Sequence, residues 1–332
     1  MLYPLKFVPQ FREKIWGGQR IKNHLNQNLG NLPNCGELWA LSGFPGSESV
    51  VANGFLAGNE LNELVEIYMD ELLGEKVFEV YSTVFPLLIK ILDANDWLSI
   101  QVHPDDELAH QRGLEGGKTE MWYILQAEKD AKLISGFNQK INQHLFLQKV
   151  EEKDLASVLN FETAQPGDVF YIPAGRVHAL GPGLLLAEIQ QTSDTTYRIY
   201  DWDRKDEKGN ERELHLEEAK AAIDFELAEN YKTNCISKKN ETVSLVKSPY
   251  FTTNLLDLNT PIQKDYSDLD SFVILLCVEG VCEIDDRTNE KTLLLAGEVV
   301  LIPASAKHIL LNPLNVAKIL EVYIQIDGEG SL

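Results

Sequence analysis

One stretch of sequence occurs twice in this chain and limits the folds that it can adopt. Residues 167–178 read GDVFYIPAGRVH, and residues 297–308 read GEVVLIPASAKH. Each copy has a short apolar run, a turn that begins with Pro-Ala, and a final histidine. This pattern predicts a strand, a turn and a second strand that starts at the histidine. A repeated strand–turn–strand unit predicts two related β-domains.

The chain length and the spacing of apolar runs favour a mainly β fold. A chain of 332 residues suits two domains better than one. Short apolar runs between Gly, Pro, Asn and Asp are typical of strands and turns. We predict two β-domains of the β-barrel or jelly-roll type, with a few short helices. The first domain would span residues 1–235 and carry the chemistry, and a smaller one would span 236–332, with the boundary in the polar stretch 231–239.

Three segments have the apolar periodicity of helices. Residues 59–74 place their apolar side chains on one face, and Gly74 predicts the end of that helix. Residues 146–159 are a weaker candidate with a break near Glu152, and residues 215–228 are the third. The clearest predicted strands are 85–93, 97–103, 121–126, 131–136, 184–191 and 293–302.

Composition narrows the classes of partner. The formal net charge of −21 disfavours nucleic acids and anionic membranes, because both are polyanions. A phosphate site in this chain must therefore supply its own cations. No apolar run approaches the roughly eighteen residues that span a bilayer, and the first residues lack the apolar region of a signal peptide. We expect a cytoplasmic protein whose four cysteines, Cys35, Cys235, Cys277 and Cys282, are buried free thiols.

The histidine of the first copy has companions that could bind a metal with it. Gln101 and His103 are two residues apart in a predicted strand and so share a face. Glu120 begins another strand, and His178 begins a third. Two imidazoles, one carboxylate and one amide oxygen suit Zn²⁺ acting as a Lewis acid, one ion per chain. Gln101 could instead be a hydrogen-bonding neighbour of the ligands, because amides are poor metal ligands.

The second copy lacks such companions. The strand predicted upstream of His308, residues 272–278, is purely apolar. Because a metal needs three or four ligands, we predict that the carboxy-terminal domain holds none and that His308 is a structural residue.

Three cations lie near the predicted metal ligands in sequence. Arg198 falls in the polar and aromatic run 188–204 and could bind an anion, although a surface ion pair is the alternative. Lys118 precedes Glu120 by two residues and would share its face. Lys90 interrupts an apolar strand, which leaves two readings open. Its side chain faces the edge of the sheet, or it is buried because it has a functional role.

Several long motifs resemble the type I phosphomannose isomerase family of the cupin superfamily, in its short bacterial form. The matching text is IWGG at 15–18, GELWALSG at 36–43, FPLLIKILDANDWLSIQVHPDD at 85–106, GKTEMWYIL at 117–125, PGDVFYIPAGRVHAL at 166–180 and EIQQTSDTTYRIYDWDR at 188–204. Two features depart from the larger members of the family. Their long helical domain has no counterpart of similar length here, and Gly117 stands where they carry a histidine.

The resemblance implies that the two domains are cupin-like jelly-roll β-barrels, and it also implies a function and a role for each residue. It implies that the chain interconverts D-mannose 6-phosphate and D-fructose 6-phosphate through a cis-enediol(ate). The metal ligands would be Gln101, His103, Glu120 and His178. The catalytic residues would be Arg198, Lys118 and Asp194, and the substrate-binding residues Lys90, Ser99 and Arg198.

Other functions remain as alternatives. One is a cupin isomerase that acts on glucose 6-phosphate, and another is a non-catalytic sugar-binding cupin. A third, an iron dioxygenase, is disfavoured because such cupins carry His-x-His where this chain has Gln101-x-His103. The expected partner is a small sugar phosphate, and both a monomer and a homodimer are compatible with the sequence.

Overall fold

The protein is mainly β, as the sequence predicts. The computed structural model describes residues 2–205, 208–287 and 290–326. The strands of the described residues are β1 (Leu5–Lys6), β2 (Gln10–Arg12), β3 (Glu37–Ser42), β4 (Leu87–Ala94), β5 (Ile100–Val102), β6 (Glu120–Ala127), β7 (Lys132–Phe137), β8 (Leu159–Thr163), β9 (Val169–Ile172), β10 (His178–Leu180), β11 (Leu184–Gln191), β12 (Tyr197–Tyr200), β13 (Lys232–Thr233), β14 (Thr242–Lys247), β15 (Thr252–Leu258), β16 (Ile262–Asp265), β17 (Val273–Asp285), β18 (Thr292–Leu295), β19 (Val299–Ile302) and β20 (His308–Tyr323).

Short helices connect the strands. Those of the described residues are α1 (Arg20–Leu25), α2 (Leu61–Leu73), α3 (Glu75–Tyr81), α4 (Asp106–Gln111), α5 (Gln143–Glu151) and α6 (Leu216–Ala222), with 3₁₀ turns at Gly54–Leu56 and Leu155–Val158. All three predicted helices are present. α5 ends at Glu152, where the break was expected. The prediction for α6 was too long, because Ile223 adopts an extended conformation well before Ala228.

Helix α3 was not predicted, because Gly74 indicates the end of a helix. Gly74 does end α2, but α3 begins at the next residue. The carboxylate of Asp270 accepts hydrogen bonds from the backbone nitrogens of Glu75 and Lys76, at 2.8 and 3.0 Å. These bonds satisfy donors that every helix start leaves open. Because α3 is capped by a residue distant in sequence, the local sequence does not predict where it starts.

The strands form three antiparallel sheets. One has five strands in the order β12-β5-β10-β7-β8, and a second has seven in the order β13-β9-β6-β11-β4-β3-β2. The third has eight strands, with the path β1-β19-β17-β20-β15-β14 and with β16 and β18 beside it. Strand β1 pairs with β19, so the first strand of the chain belongs to the eight-stranded sheet. The division at residue 235 stays a prediction.

Both copies of the repeat have the predicted strand–turn–strand conformation. The first copy is β9 followed by β10, and the second is β19 followed by the start of β20. Gly167 and Gly297 occupy the same place in the two copies, with positive φ values of 90° and 85° that glycine adopts readily. The two histidines differ in burial. His178 is 1% exposed, whereas the side chain of His308 is 53% exposed and lies 3.3 Å from Asp265.

Strand β11 shows how the sheets position a site. Ala187 and Ile189 lie on one face of β11 and pack into a core that also contains apolar residues of the eight-stranded sheet, such as Phe272. The opposite face starts with Leu184 and Leu186, in a second apolar cluster. That face continues with Glu188 and Gln190, because alternate residues point the same way. The side chains on this face of β11 therefore change from apolar to polar along the strand.

The cysteines follow the prediction with one exception. All four are free thiols, and Cys35, Cys277 and Cys282 are buried. Cys235 is only partly buried, so the prediction for that residue was wrong; it lies just after the short edge strand β13. Over the described residues, none of the helices combines the length and the apolar content that crossing a membrane requires.

Candidate metal centre

Three buried side chains meet at one point, where the five-stranded and the seven-stranded sheets face each other's residues. They are His103, which follows β5, Glu120 at the start of β6, and His178 at the start of β10. One potential ligand atom from each lies within 4.8 Å of the others. The Nε2 atom of His103 is 3.6 Å from Glu120 Oε2, and that of His178 is 3.4 Å from Glu120 Oε1. The structure thus brings together the three residues that the sequence singled out.

Backbone carbonyls orient both imidazole rings. The Nδ1 atom of His103 lies 2.8 Å from the carbonyl oxygen of Thr195, and that of His178 lies 2.8 Å from the carbonyl oxygen of Arg176. A carbonyl only accepts, so each Nδ1 carries the proton and each Nε2 presents a lone pair toward Glu120. This is the orientation of histidines that bind metals through Nε2.

Burial keeps both imidazoles neutral. It lowers the pKa of His103 well below its ordinary value, and the nearby charge of Lys118 adds to the effect. Burial also lowers the pKa of His178 to about 4, although its hydrogen bond to the Arg176 carbonyl opposes the shift. Neutral imidazole is the form that binds metals.

Glu120 is the strongest indication that a cation belongs here. Its side chain is 1% exposed. Neither carboxylate oxygen has a partner at hydrogen-bonding geometry among the described residues. Lys118 Nζ lies 3.2 Å from Oε2 and offers partial compensation. A buried carboxylate without hydrogen bonds is costly, and a bound divalent ion would compensate it. The donor set of two imidazole nitrogens and a carboxylate fits a transition metal such as zinc.

Gln101 lies beside the three residues, but its amide nitrogen faces them. The Nε2 atom of Gln101 is 3.2 Å from His178 Nε2, and Oε1 accepts a hydrogen bond from Ser99 Oγ at 3.2 Å. A half-turn of the amide would exchange the two positions and present Oε1 to a metal. As placed, Gln101 is a hydrogen-bonding neighbour of a ligand, one of the two roles predicted for it.

A cavity of about 300 Å³ opens next to Gln101 and Lys118. Its lining consists of Lys14, Trp16, Glu37, Lys90, Leu92, Leu98, Ser99, Gln101, Lys118, Glu188, Asp194, Thr196, Arg198 and Arg212. Every residue predicted to be catalytic or substrate-binding is in this set. The set holds five lysines and arginines and three acidic residues, so the cavity supplies the local cations that an anionic substrate needs.

Arg198 is placed to act on an anion. Its Nη1 donates to the carbonyl oxygen of Glu213 at 2.7 Å, and its backbone nitrogen donates to His215 Nδ1 at 3.2 Å. Its Nε is buried and has no hydrogen-bond partner among the described residues. Burial lowers the pKa of Arg198, and the neighbouring charge of Arg212 acts in the same direction. The surface ion pair considered as an alternative for Arg198 does not describe this geometry.

Lys118 and Lys90 are both buried. Lys118 Nζ lies 3.3 Å from His103 Nε2 as well as close to Glu120. Burial lowers the pKa of Lys118, but the carboxylates around it outweigh this effect and the pKa is raised. Lys90 is 3% exposed, and its Nζ is 3.5 Å from Glu188 and 3.8 Å from Asp194. The second of the two readings of Lys90, burial, is therefore the correct one.

Glu188 is a residue of the cavity wall that sequence reasoning missed. It is 4% exposed and accepts a hydrogen bond from Trp122 Nε1 at 3.0 Å. Burial raises the pKa of Glu188, and the charge of Glu120 adds to the shift. Asp194, by contrast, has a side chain that is 51% exposed. The only local signal was an acidic residue within the otherwise apolar run 184–189, which does not reveal which way its side chain points.

Antiparallel sheets that enclose a His–Glu–His cluster beside a polar cavity define a mainly β protein of the cupin type with a candidate metal centre. The family model described as "Phosphomannose isomerase type I, catalytic domain" matches residues 4–140. Mannose-6-phosphate isomerase from Streptococcus mutans is 37% identical over 308 residues, which cover 92% of this chain and 94% of that protein. The chain belongs to the type I phosphomannose isomerase family and is therefore an enzyme of that family.

Solved structures agree with this assignment. The crystal structure of mannose 6-phosphate isomerase from Bacillus subtilis matches with a TM-score of 0.84 and 32% identity, over 96% of this chain and 99% of that one. A crystal structure of phosphomannose isomerase from Salmonella typhimurium shares the fold, with a TM-score of 0.79 at 18% identity, over 97% of this chain and all of that one.

Proposed function

We propose that this enzyme interconverts D-mannose 6-phosphate and D-fructose 6-phosphate, using one Zn²⁺ per chain. The observation that carries the proposal is the buried, hydrogen-bond-deficient Glu120 between His103 Nε2 and His178 Nε2, at the edge of a cation-lined cavity. Family membership supports the substrate, because a relative named mannose-6-phosphate isomerase aligns over 92% of the chain. The net charge of −21 supports a small-molecule partner rather than nucleic acid or membrane, and we expect a cytoplasmic location.

His103, Glu120 and His178 would hold the zinc, with Gln101 as a fourth ligand after its amide turns. A bound zinc ion supplies Lewis-acid chemistry, which polarises the oxygens at the two carbons that exchange a proton. The tautomers support this assignment, because Thr195 and Arg176 accept the Nδ1 protons and leave the Nε2 lone pairs available.

The cations of the chain would bind and orient the substrate. The buried Nε of Arg198 has no hydrogen-bond partner among the described residues, so the guanidinium charge is available to offset negative charge on a cis-enediol(ate) or on the phosphate. Lys118 would donate a hydrogen bond to an oxygen at the reacting carbons and assist ring opening. Lys90 and Ser99, which line the same cavity, would contact the sugar phosphate.

A carboxylate of the cavity would move the proton between the two carbons. Asp194, assigned by the resemblance, is half-exposed and near Lys90. Glu188 is buried in the same wall, and its raised pKa brings it closer to neutral pH, where general bases work best. We propose that Glu188 is the base. Asp194 would instead help to orient the side chain of Lys90.

The test separates this function from a glucose 6-phosphate isomerase and from a non-catalytic sugar-binding protein. Purified protein is supplied with mannose 6-phosphate or glucose 6-phosphate, and fructose 6-phosphate is measured by a coupled assay. We expect a kcat/KM for mannose 6-phosphate at least 100-fold above that for glucose 6-phosphate. Comparable rates or the reverse preference would assign the enzyme to the other aldose, and no product from either would leave only sugar binding.

A further inference from the structure

Four hydrogen bonds hold the backbone of the segment 117–120, which contains Lys118 and Glu120. Gly117 N donates to Asp106 Oδ1 at 2.7 Å, and Lys118 N donates to the carbonyl oxygen of Pro104 at 3.0 Å. Thr119 N donates to the side-chain oxygen of Gln191 at 2.7 Å, and Gln191 N donates back to Thr119 O at 3.2 Å. Two of these four bonds end on side chains distant in sequence.

The two side chains also bond to each other. Gln191 Nε2 donates to Asp106 Oδ1 at 3.1 Å, while Gln191 Oε1 accepts from Thr119 N. The amide of Gln191 therefore bridges Thr119 to Asp106, and both ends of the bridge reach the segment 117–120. Hydrogen bonds to a carboxylate are shorter and stronger than those between neutral groups.

Gly117 lets the backbone approach the pair. A Cβ at this position would lie 2.7 Å from the carbonyl carbon of Asp105 and 2.7 Å from the nitrogen of Asp106. Real Cβ atoms do not come so close to backbone atoms. Gly117 is thus the residue that permits this contact.

Open space adjoins one side of the segment. Asp106, Gly117 and Gln191 line a second cavity, of about 810 Å³, whereas Lys118 lines the cavity beside the candidate metal centre. Glu120 is also held by the sheet, because it pairs with Ile172 of β9 and Gln190 of β11. The hydrogen bonds from Asp106 and Gln191 add to this by fixing the backbone that leads into β6.

We infer that Gln191 and Asp106 form a positioning pair that sets the Lys118 ammonium and the Glu120 carboxylate against His103 and His178. The inference rests on the proposed function for the roles of Lys118 and Glu120. Neither member of the pair lines the cavity beside the metal centre, so both act through the segment 117–120. Residues that orient metal ligands typically change metal affinity or activity by roughly 10–100-fold when they are replaced.

The test uses the full chain and compares Gln191→Leu, Asp106→Leu and the conservative variant Asp106→Asn. Zinc affinity is measured by competition with a chromophoric chelator, and kcat and KM are measured on zinc-loaded protein. We expect Gln191→Leu to lower kcat and weaken zinc binding by about tenfold or more, with KM within about threefold of the wild type. KM should stay near the wild-type value because the residues proposed to contact the sugar phosphate, Lys90, Ser99 and Arg198, lie outside the segment 117–120.

The conservative variant provides the rescue. Asp106 Oδ1 accepts from both Gly117 N and Gln191 Nε2, so Asp106→Leu removes both hydrogen bonds and should weaken zinc binding about tenfold. The amide oxygen introduced by Asp106→Asn can still accept both, so zinc affinity should recover about tenfold. Glu107→Gln is the control, because Glu107 lines the same second cavity and its carboxylate accepts from Gln111. It should match the wild type in every readout.

Two results would overturn the inference. One is a kcat and a zinc affinity within twofold of the wild type in both Gln191→Leu and Asp106→Leu. The other is a lower melting temperature as their only change, which would reduce the pair to a structural role. If Gln191→Leu does not fold, Asp106→Leu and Asp106→Asn decide. A wild-type protein that binds zinc but does not isomerise mannose 6-phosphate would contradict the proposed function, while the zinc affinities would still decide on the pair.

Discussion

His178 and Gln101 lie directly opposite each other on neighbouring antiparallel strands, with their Nε2 atoms 3.2 Å apart. On its other side, Gln101 pairs with Arg198 of β12. Side chains of directly opposed residues share a face of the sheet. A histidine, an amide and an arginine therefore form a row across the five-stranded sheet, and Glu120 reaches it from the seven-stranded sheet. The row links the candidate metal centre to Arg198.

The two histidines of the repeat should differ in their effect on zinc content. His178→Ala removes a buried ligand and should reduce bound zinc after dialysis to less than about a tenth of one ion per chain. His308→Ala, at the exposed matching position of the second copy, should keep one ion per chain. Elemental analysis of both variants checks this, and equal zinc in the two would refute the assignment of His178.

Arg198 should matter for turnover and not for zinc. Arg198→Ala should lower kcat by about 10²–10³-fold, the usual cost of removing one donor that stabilises developing charge. Arg198→Lys should recover only part of this loss, because an ammonium lacks the planar fork of the guanidinium. Zinc content should stay at one ion per chain in both. Near-normal kcat in Arg198→Ala would remove the residue from catalysis.

Glu188 and Asp194 can be separated as candidates for the base. Glu188→Gln should lower kcat by about 10²–10⁴-fold, the contribution typical of a positioned general base. Asp194→Asn should cost less, since its side chain is half-exposed. Deuterium uptake from heavy water into the product gives a second readout, because a missing base also abolishes exchange. The opposite order of losses would make Asp194 the base.

The ion pairs of Asp201 should stabilise the protein above acidic pH. Burial raises the pKa of Asp201, but hydrogen bonds from Arg212 and Arg204 outweigh this effect, and the pKa lies below its ordinary value of 3.8. A lowered folded-state pKa gives stability that is present above the unfolded value and is lost as pH falls through the folded value.

Asp201→Asn should therefore reduce the free energy of unfolding at pH 7 by about 1–3 kcal/mol, the cost of losing hydrogen bonds to charged groups. The difference from the wild type should shrink as the pH falls below about 4. Urea unfolding at a series of pH values measures it. A difference that stays constant from pH 7 to pH 3 would show that the charge of Asp201 is not its cause.

Local patterns were enough to predict which three residues cluster at the candidate metal centre. The strand–turn–strand repeat placed His178 at the start of a strand, and the spacing of Gln101 and His103 put both on one face. The same kind of signal predicted helix α2. Each of these inferences needs only a few consecutive residues, and the structure confirms them.

What the sequence did not reveal depends on contacts between distant segments. Glu188 faces the cavity because β11 pairs in a particular register with β4 and β6, and register is invisible in a single strand. The bridge from Gln191 to Asp106 joins residues on separate elements. Helix α3 begins where the carboxylate of Asp270, far along the chain, accepts a hydrogen bond from the first backbone nitrogen of the helix.

The most direct test of the account is the rate of fructose 6-phosphate formation from mannose 6-phosphate before and after the metal is removed. The protein is purified without added metal, assayed, treated with a chelator, dialysed and assayed again with and without added Zn²⁺. The account predicts that activity is lost with the metal and returns when about one equivalent of Zn²⁺ per chain is restored. Activity that persists in protein shown to be free of metal would contradict it.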